Sequence, residues 1–471
     1  MLDFVKIDRI NPKKRDVLQR IKDYKEVYEV FAEYKASEQA SRCMQCGVPY
    51  CHFKCPLHNV IPSWLKQTSK KDLEQAFALS NETSPFPEIL GKICPHDVLC
   101  EGDCSLNDNY GAISIGAIET YISEKAFKKG IKPSFPKLAS SKIKSTKKVA
   151  IIGSGPAGLS AATFLLRQGI GVEMFERSDK AGGLLTYGIP NFKLDKNKVQ
   201  RRVAWLEEAG LKLHLSSELG KDVKAKDLLD KFGALFLAIG ASQGAKIGIA
   251  GEDTSNVYQA IDFLTQIQER NFLLEEGKED KKANNFDVLD KKVLVIGGGD
   301  TAMDCVRSLV REGVKSVKCI YRRDEKSMPG SKKEFENAKE EGVEFCFNLS
   351  PKEFILKDGK VCVLRVQKTS LAYDKEKKKN ILKYEEEYFE ILADMVILAL
   401  GFSVKKIKVL DELGIKTNAK GNIIINEQFQ TSNPKVFAGG DCQRGAHLAV
   451  TATVDGRDAS KEIAKLLKTF N

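Results

Sequence analysis

Three stretches predict an α/β chain in which two nucleotide-binding units follow a mainly helical, cysteine-rich region. The first is KKVAIIGSGPAG at 147–158, the second is VLVIGGGDTA at 293–302, and the third is a set of seven cysteines between Cys43 and Cys104. In the first two, a short apolar run ends in a glycine turn and passes into a helical pattern. That order lets backbone N–H groups approach a pyrophosphate while the helix dipole favours its charge, so each stretch predicts a Rossmann-like dinucleotide-binding domain.

At the first turn, Gly153-x-Gly155-x-x-Gly158 is followed by a helical pattern at 159–167. The next strand pattern, 171–175, ends in Glu176. An acid about twenty residues after the turn is placed to accept from a ribose hydroxyl. At the second turn, Gly297-x-Gly299-x-x-Ala302, the following strand pattern ends instead in Arg322 and Arg323. Arginine pairs with a 2′-phosphate where an acid would bind a 2′-hydroxyl. The first unit is therefore expected to take an adenine dinucleotide without the extra phosphate, and the second NADP(H). An arginine pair can also be plain surface charge, but its place at this strand end favours the phosphate. Lys332 and Lys333 are expected to add to the same pocket.

Other elements fit this frame. The glycine-rich apolar loop at 182–190 is suited to passing a flat ring system, and a helical pattern follows at 197–209. Buried strand patterns end at Gly240 and Gly401. Residues 275–291 read as a charged surface excursion. A strand pattern at 436–438 leads into Gly440-Asp441 ahead of a helix from His447, suited to a flavin's ribityl and pyrophosphate and equally to a helix cap.

Five of the twelve cysteines are scattered singly and read as ordinary thiols. The other seven form C-x2-C-x4-C-x3-C-P over Cys43, Cys46, Cys51 and Cys55, then C-x5-C-x3-C over Cys94, Cys100 and Cys104. Ferredoxins with two clusters use a similar run, whose fourth cysteine ligates the other cluster. By that logic Cys43, Cys46 and Cys51 serve one cluster with a cysteine from the second group. Cys55 serves the other with two more. Structural zinc also uses C-x2-C pairs, but the asymmetric spacing and the prolines after Cys55 and Cys94 favour iron–sulfur. Seven cysteines leave one ligand of eight unassigned: either one cluster has three irons, or the eighth ligand is not cysteine, with Glu119 a candidate. His52, His58 and His96 are read as surface or supporting positions.

Ahead of the cysteines, Tyr24, Val27, Tyr28, Phe31 and Tyr34 recur at helical spacing and predict a helix packed on the next segment. Residues 128–146 read as a linker. The net charge of +11 suits a basic solvated surface, an acidic partner or a phosphorylated cofactor. No nucleic-acid recognition motif accompanies it. No apolar run nears the roughly 20 residues of a membrane span, and the N-terminus lacks a signal peptide's apolar core. The expectation is a cytoplasmic protein with no membrane or nucleic-acid partner.

With RCMQCGVPYC, CPLHNVIP, CPHDVLCEGDCSLND, GSGPAGL, GGLLTYGIPNFKL, GGGDTAMDCVR, YRRDEKSMPGSKKE and VFAGGDCQRGA in one chain, the sequence resembles the small (β) subunits of bacterial NADPH-dependent glutamate synthases over nearly its whole length. The resemblance implies FAD at Gly153, Ser154, Gly155, Ala157, Gly158, Glu176, Arg177, Gly183, Leu184, Lys193, Gly440 and Asp441. It implies NADPH at Gly298, Gly299, Asp300, Thr301, Arg322 and Arg323, with Gly240, Gly401 and Thr451 also in the cofactor-binding set. It implies two 4Fe–4S clusters on Cys43, Cys46, Cys51, Cys104, Cys55, Cys94, Cys100 and Glu119. No catalytic acid or base is implied, because hydride passes between cofactors. The implied partner is a large subunit with FMN and its own cluster, which forms glutamate from glutamine and 2-oxoglutarate. The alternative is a stand-alone NADPH:ferredoxin-type flavoprotein oxidoreductase. His447 departs from the small or acidic residue expected there. The domains expected are a helical iron–sulfur domain at 1–145, the FAD domain split between 146–288 and 403–471, and the NADPH domain at 289–402.

Overall fold

The computed structural model describes residues 3–136, 148–278, 286–376, 378–405 and 407–469. Two five-stranded parallel sheets dominate it. In the first, Lys148–Ile152 is central. Gly171–Phe175 and Lys212–His214 lie on one side, and Ala234–Leu237 and Val436–Ala438 on the other. The second repeats the pattern around Lys292–Ile296, with Ser316–Tyr321 and Glu344–Phe347 on one side and Met395–Leu398 and Val257–Gln259 on the other.

Both central strands are unbroken apolar runs because both faces of each sheet are covered. Val149 and Ile151 enter one core while Ala150 and Ile152 enter another. Val293 and Val295 divide from Leu294 and Ile296 in the same way. The helices Pro156–Arg167 and Asp300–Arg311 follow the two central strands.

The first fold is discontinuous in sequence, since Val436–Ala438 returns to its edge. The last helix, Ala449–Thr469, then lies against Pro156–Arg167, and Gly456 permits the approach: a Cβ there would sit 2.1 Å from the Ala157 carbonyl oxygen. The expected boundary at 288/289 is displaced. Val257–Gln259 pairs with Met395–Leu398, and Ala260, Phe263 and Leu264 enter the second fold's core. The open side of Met395–Leu398 needs a covering strand, and the chain supplies it before it forms Lys292–Ile296. The two crossings between the folds run side by side as Gln243–Gly244 against Phe402–Ser403, just beyond Gly240 and Gly401, both at positive φ. A three-stranded antiparallel sheet, Leu349–Lys357, Lys360–Asp374 and Lys379–Leu392, packs Phe354, Leu364 and Val366 onto Leu294 and Ile296.

The N-terminal region is mainly helical, with Glu33–Ser41, Ile61–Ser69, Leu73–Thr83, Pro87–Ile93 and Ile115–Lys128 around buried Trp64, Phe77, Ile118 and Ile122. The helix expected over Tyr24 to Tyr34 does not form before Glu33. Residues 21–32 instead make an irregular arm whose apolar side chains are buried by different neighbours. Phe31 joins the helical core, Tyr24 packs on the second fold, and the Val27 N–H donates to the Phe192 carbonyl. Part of the expected linker, 137–146, and part of the charged excursion, 279–285, lie outside the described residues. Among the described residues no helix is long and apolar enough to cross a membrane.

Candidate cofactor and cluster sites

The first turn is built tightly. Gly153 has φ +97°, and a Cβ on it would lie 2.3 Å from the Ala238 oxygen. Gly155 faces open space, where a pyrophosphate can come close to backbone N–H groups. Glu176 is buried at the strand end. Its Oε2 accepts from the Ser154 N–H (2.9 Å) and hydroxyl (2.6 Å), and its Oε1 from the Ser178 N–H (2.9 Å). The Ser154 hydroxyl in turn accepts from the Gly182 N–H, tying the turn to the 182–190 loop. Gly183, at φ +53°, lies against Gly155, and Arg177 is exposed.

From the C-terminal part, Gly440 approaches Ala157 at φ +76°. Asp441 follows with Oδ1 buried and without a hydrogen-bond partner among the described residues. Burial pushes its carboxyl up to about 7, against the pull of the His447 N–H and Arg444. A flavin hydroxyl fits that orphaned acceptor. Thr451 donates to the Leu448 carbonyl, and His447 Nδ1 lies 2.9 Å from the Thr451 hydroxyl.

The second turn repeats the geometry and remains open at the far end. A Cβ on Gly297 would meet the Ala399 oxygen at 2.2 Å, and Gly299 faces open space. Asp300 opens the helix and accepts from the Ser331 N–H, with Thr301 next along it. Arg322 and Arg323 are exposed, and neither guanidinium has an ion pair or hydrogen bond among the described residues. Two unpaired guanidiniums at this strand end fit a 2′-phosphate. Lys332 and Lys333 line a different space, a cavity of about 500 Å³ between the helical region and the second fold, shared with Lys193, Asp300, Cys94 and His96. Lys333 Nζ there lies 3.9 Å from the centre of the Tyr28 ring.

The candidate cluster ligands fall into two separate sets. Cys43, Cys46, Cys51 and Cys104 line one cavity, so Cys104 is the member of the second group that completes the first set. Cys55, Cys94, Cys100 and Glu119 line the other. Glu119 is buried on Ile115–Lys128 and accepts from Asn59 Nδ2 at 3.0 Å, while Asn59 Oδ1 accepts from the Trp64 indole. Burial and the charge of Glu88 push the Glu119 carboxyl up to about 8, with Asn59 opposing. Burial likewise raises the thiols, Cys51 to about 12 and Cys94 and Cys100 well above their ordinary range. Such donors become thiolates against a compensating cation. Among the described residues no three His, Cys, Asp or Glu side chains gather on a single-ion point. Each set of four lines its own cavity.

The two sets have unequal surroundings. The Glu119 set shares its wall with Val450 of the last helix of the first fold. Exposed Met44 and Tyr50 line the cavity of the Cys104 set, and Val48 and Phe53, also exposed, lie beside its cysteines in sequence. Sequence reasoning missed Arg42, which is buried and donates to the carbonyls of Ile7, Tyr110, Gly111 and Ala112, gathering the loops around the cysteines. It also missed Asp304, whose Oδ1 lies 2.8 Å from Lys193 Nζ. Lys193 was expected at FAD and here reaches across to the second fold.

The chain is similar to known proteins in both of its parts. Residues 20–131 match the family model of dihydropyrimidine dehydrogenase domain II, 4Fe-4S cluster. Residues 147–456 match that of pyridine nucleotide-disulphide oxidoreductases. The NADPH-dependent glutamate synthase small chain of Escherichia coli (strain K12) is 43% identical, with 99% of this chain and 98% of that one covered. The protein AegA of the same organism is 42% identical over 97% of this chain and 69% of its own. Among solved structures, Mycobacterium tuberculosis FprA in complex with NADPH shares the fold at a TM-score of 0.57 and 19% identity, covering 69% of this chain and 85% of that one.

Proposed function

The chain belongs to the family of NADPH-dependent glutamate synthase small chains, and from that premise we propose that it is the electron-input subunit of a glutamate synthase. It takes electrons from NADPH and delivers them through two 4Fe–4S clusters to a large subunit that carries FMN and its own cluster and forms glutamate from glutamine and 2-oxoglutarate. The observation that carries this reading is the sorting of eight candidate ligands into two sets, one walled by the first nucleotide fold and the other flanked by exposed apolar side chains.

Gly153, Ser154, Gly155, Gly158, Glu176 and Asp441 would hold FAD, with the unpartnered Asp441 Oδ1 turned to a ribityl hydroxyl. Gly298, Gly299, Asp300 and Thr301 would take the NADPH pyrophosphate, and Arg322 and Arg323 its 2′-phosphate. Bound together, these cofactors supply the chemistry: a hydride is taken from NADPH and its electrons are passed on singly. The protein orients the two nucleotides, and no side chain is assigned a proton. Val450 at the Glu119 set supports that set as the one nearer the flavin. Exposed Met44, Val48, Tyr50 and Phe53 support the Cys104 set as the exit to the partner.

A second reading, an NADPH:ferredoxin-type oxidoreductase that needs no large subunit, is favoured by the similar likeness to AegA, a longer chain. Cys43→Ala should damage one cluster and Cys55→Ala the other. In both variants NADPH should still bleach the flavin absorbance in rapid mixing, and glutamate formation with the large subunit should fail. Normal glutamate formation by either variant would remove these cysteines from the electron path. Reduction of ferredoxin at full rate in the absence of the large subunit would favour the second reading. Zinc in place of iron in anaerobically purified protein would refute the clusters.

A further inference from the structure

One face of the helix Asp300–Arg311 carries a stripe that nucleotide binding does not explain. Asp304, Arg307 and Arg311 are spaced by three and four residues and so share a face. All three meet the residue pair Phe192–Lys193, which follows the glycine-rich loop of the first fold. Lys193 Nζ lies 2.8 Å from Asp304 Oδ1, with both side chains largely buried. The Phe192 ring, 1% exposed, lies under two guanidiniums, with Arg307 4.4 Å and Arg311 4.0 Å from its centre.

The same arginines converge on Glu341, Arg307 through Nη2 at 2.8 Å and Arg311 through Nη1 at 2.8 Å, and Arg307 also pairs with Glu334. The N-terminal arm covers the joint. Arg20 Nε donates to Glu341 at 2.9 Å, the Arg311 Nε donates to the Asp23 carbonyl at 3.1 Å, and the Val27 N–H donates to the Phe192 carbonyl at 3.0 Å. Beneath it, the Lys196 ammonium donates to the carbonyls of Ile189 and Leu194 and holds the loop that carries Phe192 and Lys193.

Charges buried this far are tolerated only while paired. Arg20, Arg307, Arg311 and Glu341 have side-chain exposures of 0–1%. Those pairs lie within the second fold and the N-terminal arm and make its face rigid; sliding the first fold over it would part Lys193 from Asp304 and Phe192 from both guanidiniums, whereas an ordinary polar contact between domains permits relative motion. The helix that carries the joint also begins at the second glycine turn, and the Phe192–Lys193 pair continues the loop that lies against the first.

We infer that Asp304, acting through Lys193 and together with Arg307 and Phe192, is a positioning residue for hydride transfer: it holds the helix that begins at the NADPH turn against the loop that lies on the FAD turn. This rests on the reading above that the two turns hold FAD and NADPH. Asp304 lies a full turn beyond the start of the helix, so nucleotide affinity should not depend on it.

The test is rapid mixing of NADPH with flavin-loaded wild-type, Asp304→Asn, Asp304→Glu and Phe192→Leu proteins. A misplacement of about 1 Å between reacting groups costs up to roughly a hundredfold in rate. Asp304→Asn should therefore lower the limiting rate of flavin reduction by roughly tenfold to a hundredfold, while the NADPH concentration at half-maximal rate changes by less than about threefold. Asp304→Glu should recover most of the rate. If Asp304→Asn does not accumulate as folded flavoprotein, Phe192→Leu carries the test with the same expected split. A limiting rate equal to wild type in the folded variants would overturn the inference, as would a rate and half-saturation that worsen together with loss of bound FAD. Wild-type protein that NADPH fails to reduce would overturn instead the cofactor assignment beneath it.

Discussion

At the end of the second strand of the first fold stands Glu176, buried, with both carboxylate oxygens already accepting from Ser154 and Ser178. At the equivalent place in the second fold stand Arg322 and Arg323, exposed and without a partner among the described residues. The turns ahead of them are alike: a first glycine pressed against a neighbouring strand and another facing open space. What differs is the closure. The first site is covered by the loop at 182–190 and by Gly440 and Asp441 from the far end of the chain. The second turn is met by Gly330 and Ser331 of its own fold and, among the described residues, by no segment from the far end of the chain. A site assembled from both ends of the sequence suits a nucleotide that stays through many turnovers. A site open at its phosphate end suits one that must leave after each. The shared turn is thus the common requirement of dinucleotide binding, and the surroundings decide residence.

The sharpest break in this comparison lies at the third position of each turn. A Cβ on Gly158 would sit 2.0 Å from the Gly153 oxygen, whereas the second fold already carries Ala302 there, buried without conflict. Gly158→Ala should yield protein without bound FAD, read from its absorbance at purification. Ala302→Gly should cost only about 1 kcal/mol of stability and leave NADPH affinity nearly unchanged. FAD retained at full stoichiometry in Gly158→Ala would show that the first turn is not the flavin site.

Next in size is the choice of nucleotide. Replacing Arg322 and Arg323 together by glutamine removes charged hydrogen bonds worth about 1.5–3 kcal/mol each. With two such losses KM for NADPH should rise by roughly a hundredfold or more, with KM for NADH little changed. Glu176→Gln, at the other fold, should leave the NADPH/NADH ratio where it was. A double arginine variant that keeps its preference for NADPH would sink the assignment of the second site.

The parts legible in the sequence were those whose chemistry is local. A glycine turn declares itself within a dozen residues, as do the strand-end residues Glu176 and Arg322. The cysteine spacing also carried far. Cys55 lines a different cavity from Cys43, Cys46 and Cys51, and Cys104 lines the cavity of those three, a grouping that spacing alone left open. What escaped was burial between elements remote in sequence. Tyr24, Val27 and Phe31 looked like one helical face because all are apolar and wholly or partly covered, yet Tyr24 packs on the second fold, Val27 bonds through its N–H to the Phe192 carbonyl, and Phe31 enters the helical core. Periodicity reports that residues are covered and says nothing of what covers them. Val257–Gln259 was too short a strand to mark the start of a fold. Asp304 and Arg307 drew no expectation from the sequence, because Lys193 and Phe192, which lie against them, are remote in the chain.

The smallest effect probes the closure of the first site through pH. Burial pushes the Asp441 carboxyl up to about 7, while an unfolded aspartate titrates near 4. Between these values the folded, flavin-free protein binds a proton that the unfolded chain has released. Its stability therefore falls as pH rises from about 4 through 7, the reverse of a salt-bridged carboxylate. Asp441→Asn keeps the shape and removes the titration. In protein stripped of flavin, the variant should gain on wild type by on the order of 1–2 kcal/mol between pH 5 and pH 7, read as a difference in denaturant midpoint at each pH. Among the described residues no carboxylate pairs with Arg322 or Arg323, so the double arginine variant should track the wild-type pH dependence. A constant gap between Asp441→Asn and wild type across this range would mean that water reaches the carboxylate freely, and that the first site is no more closed than the second.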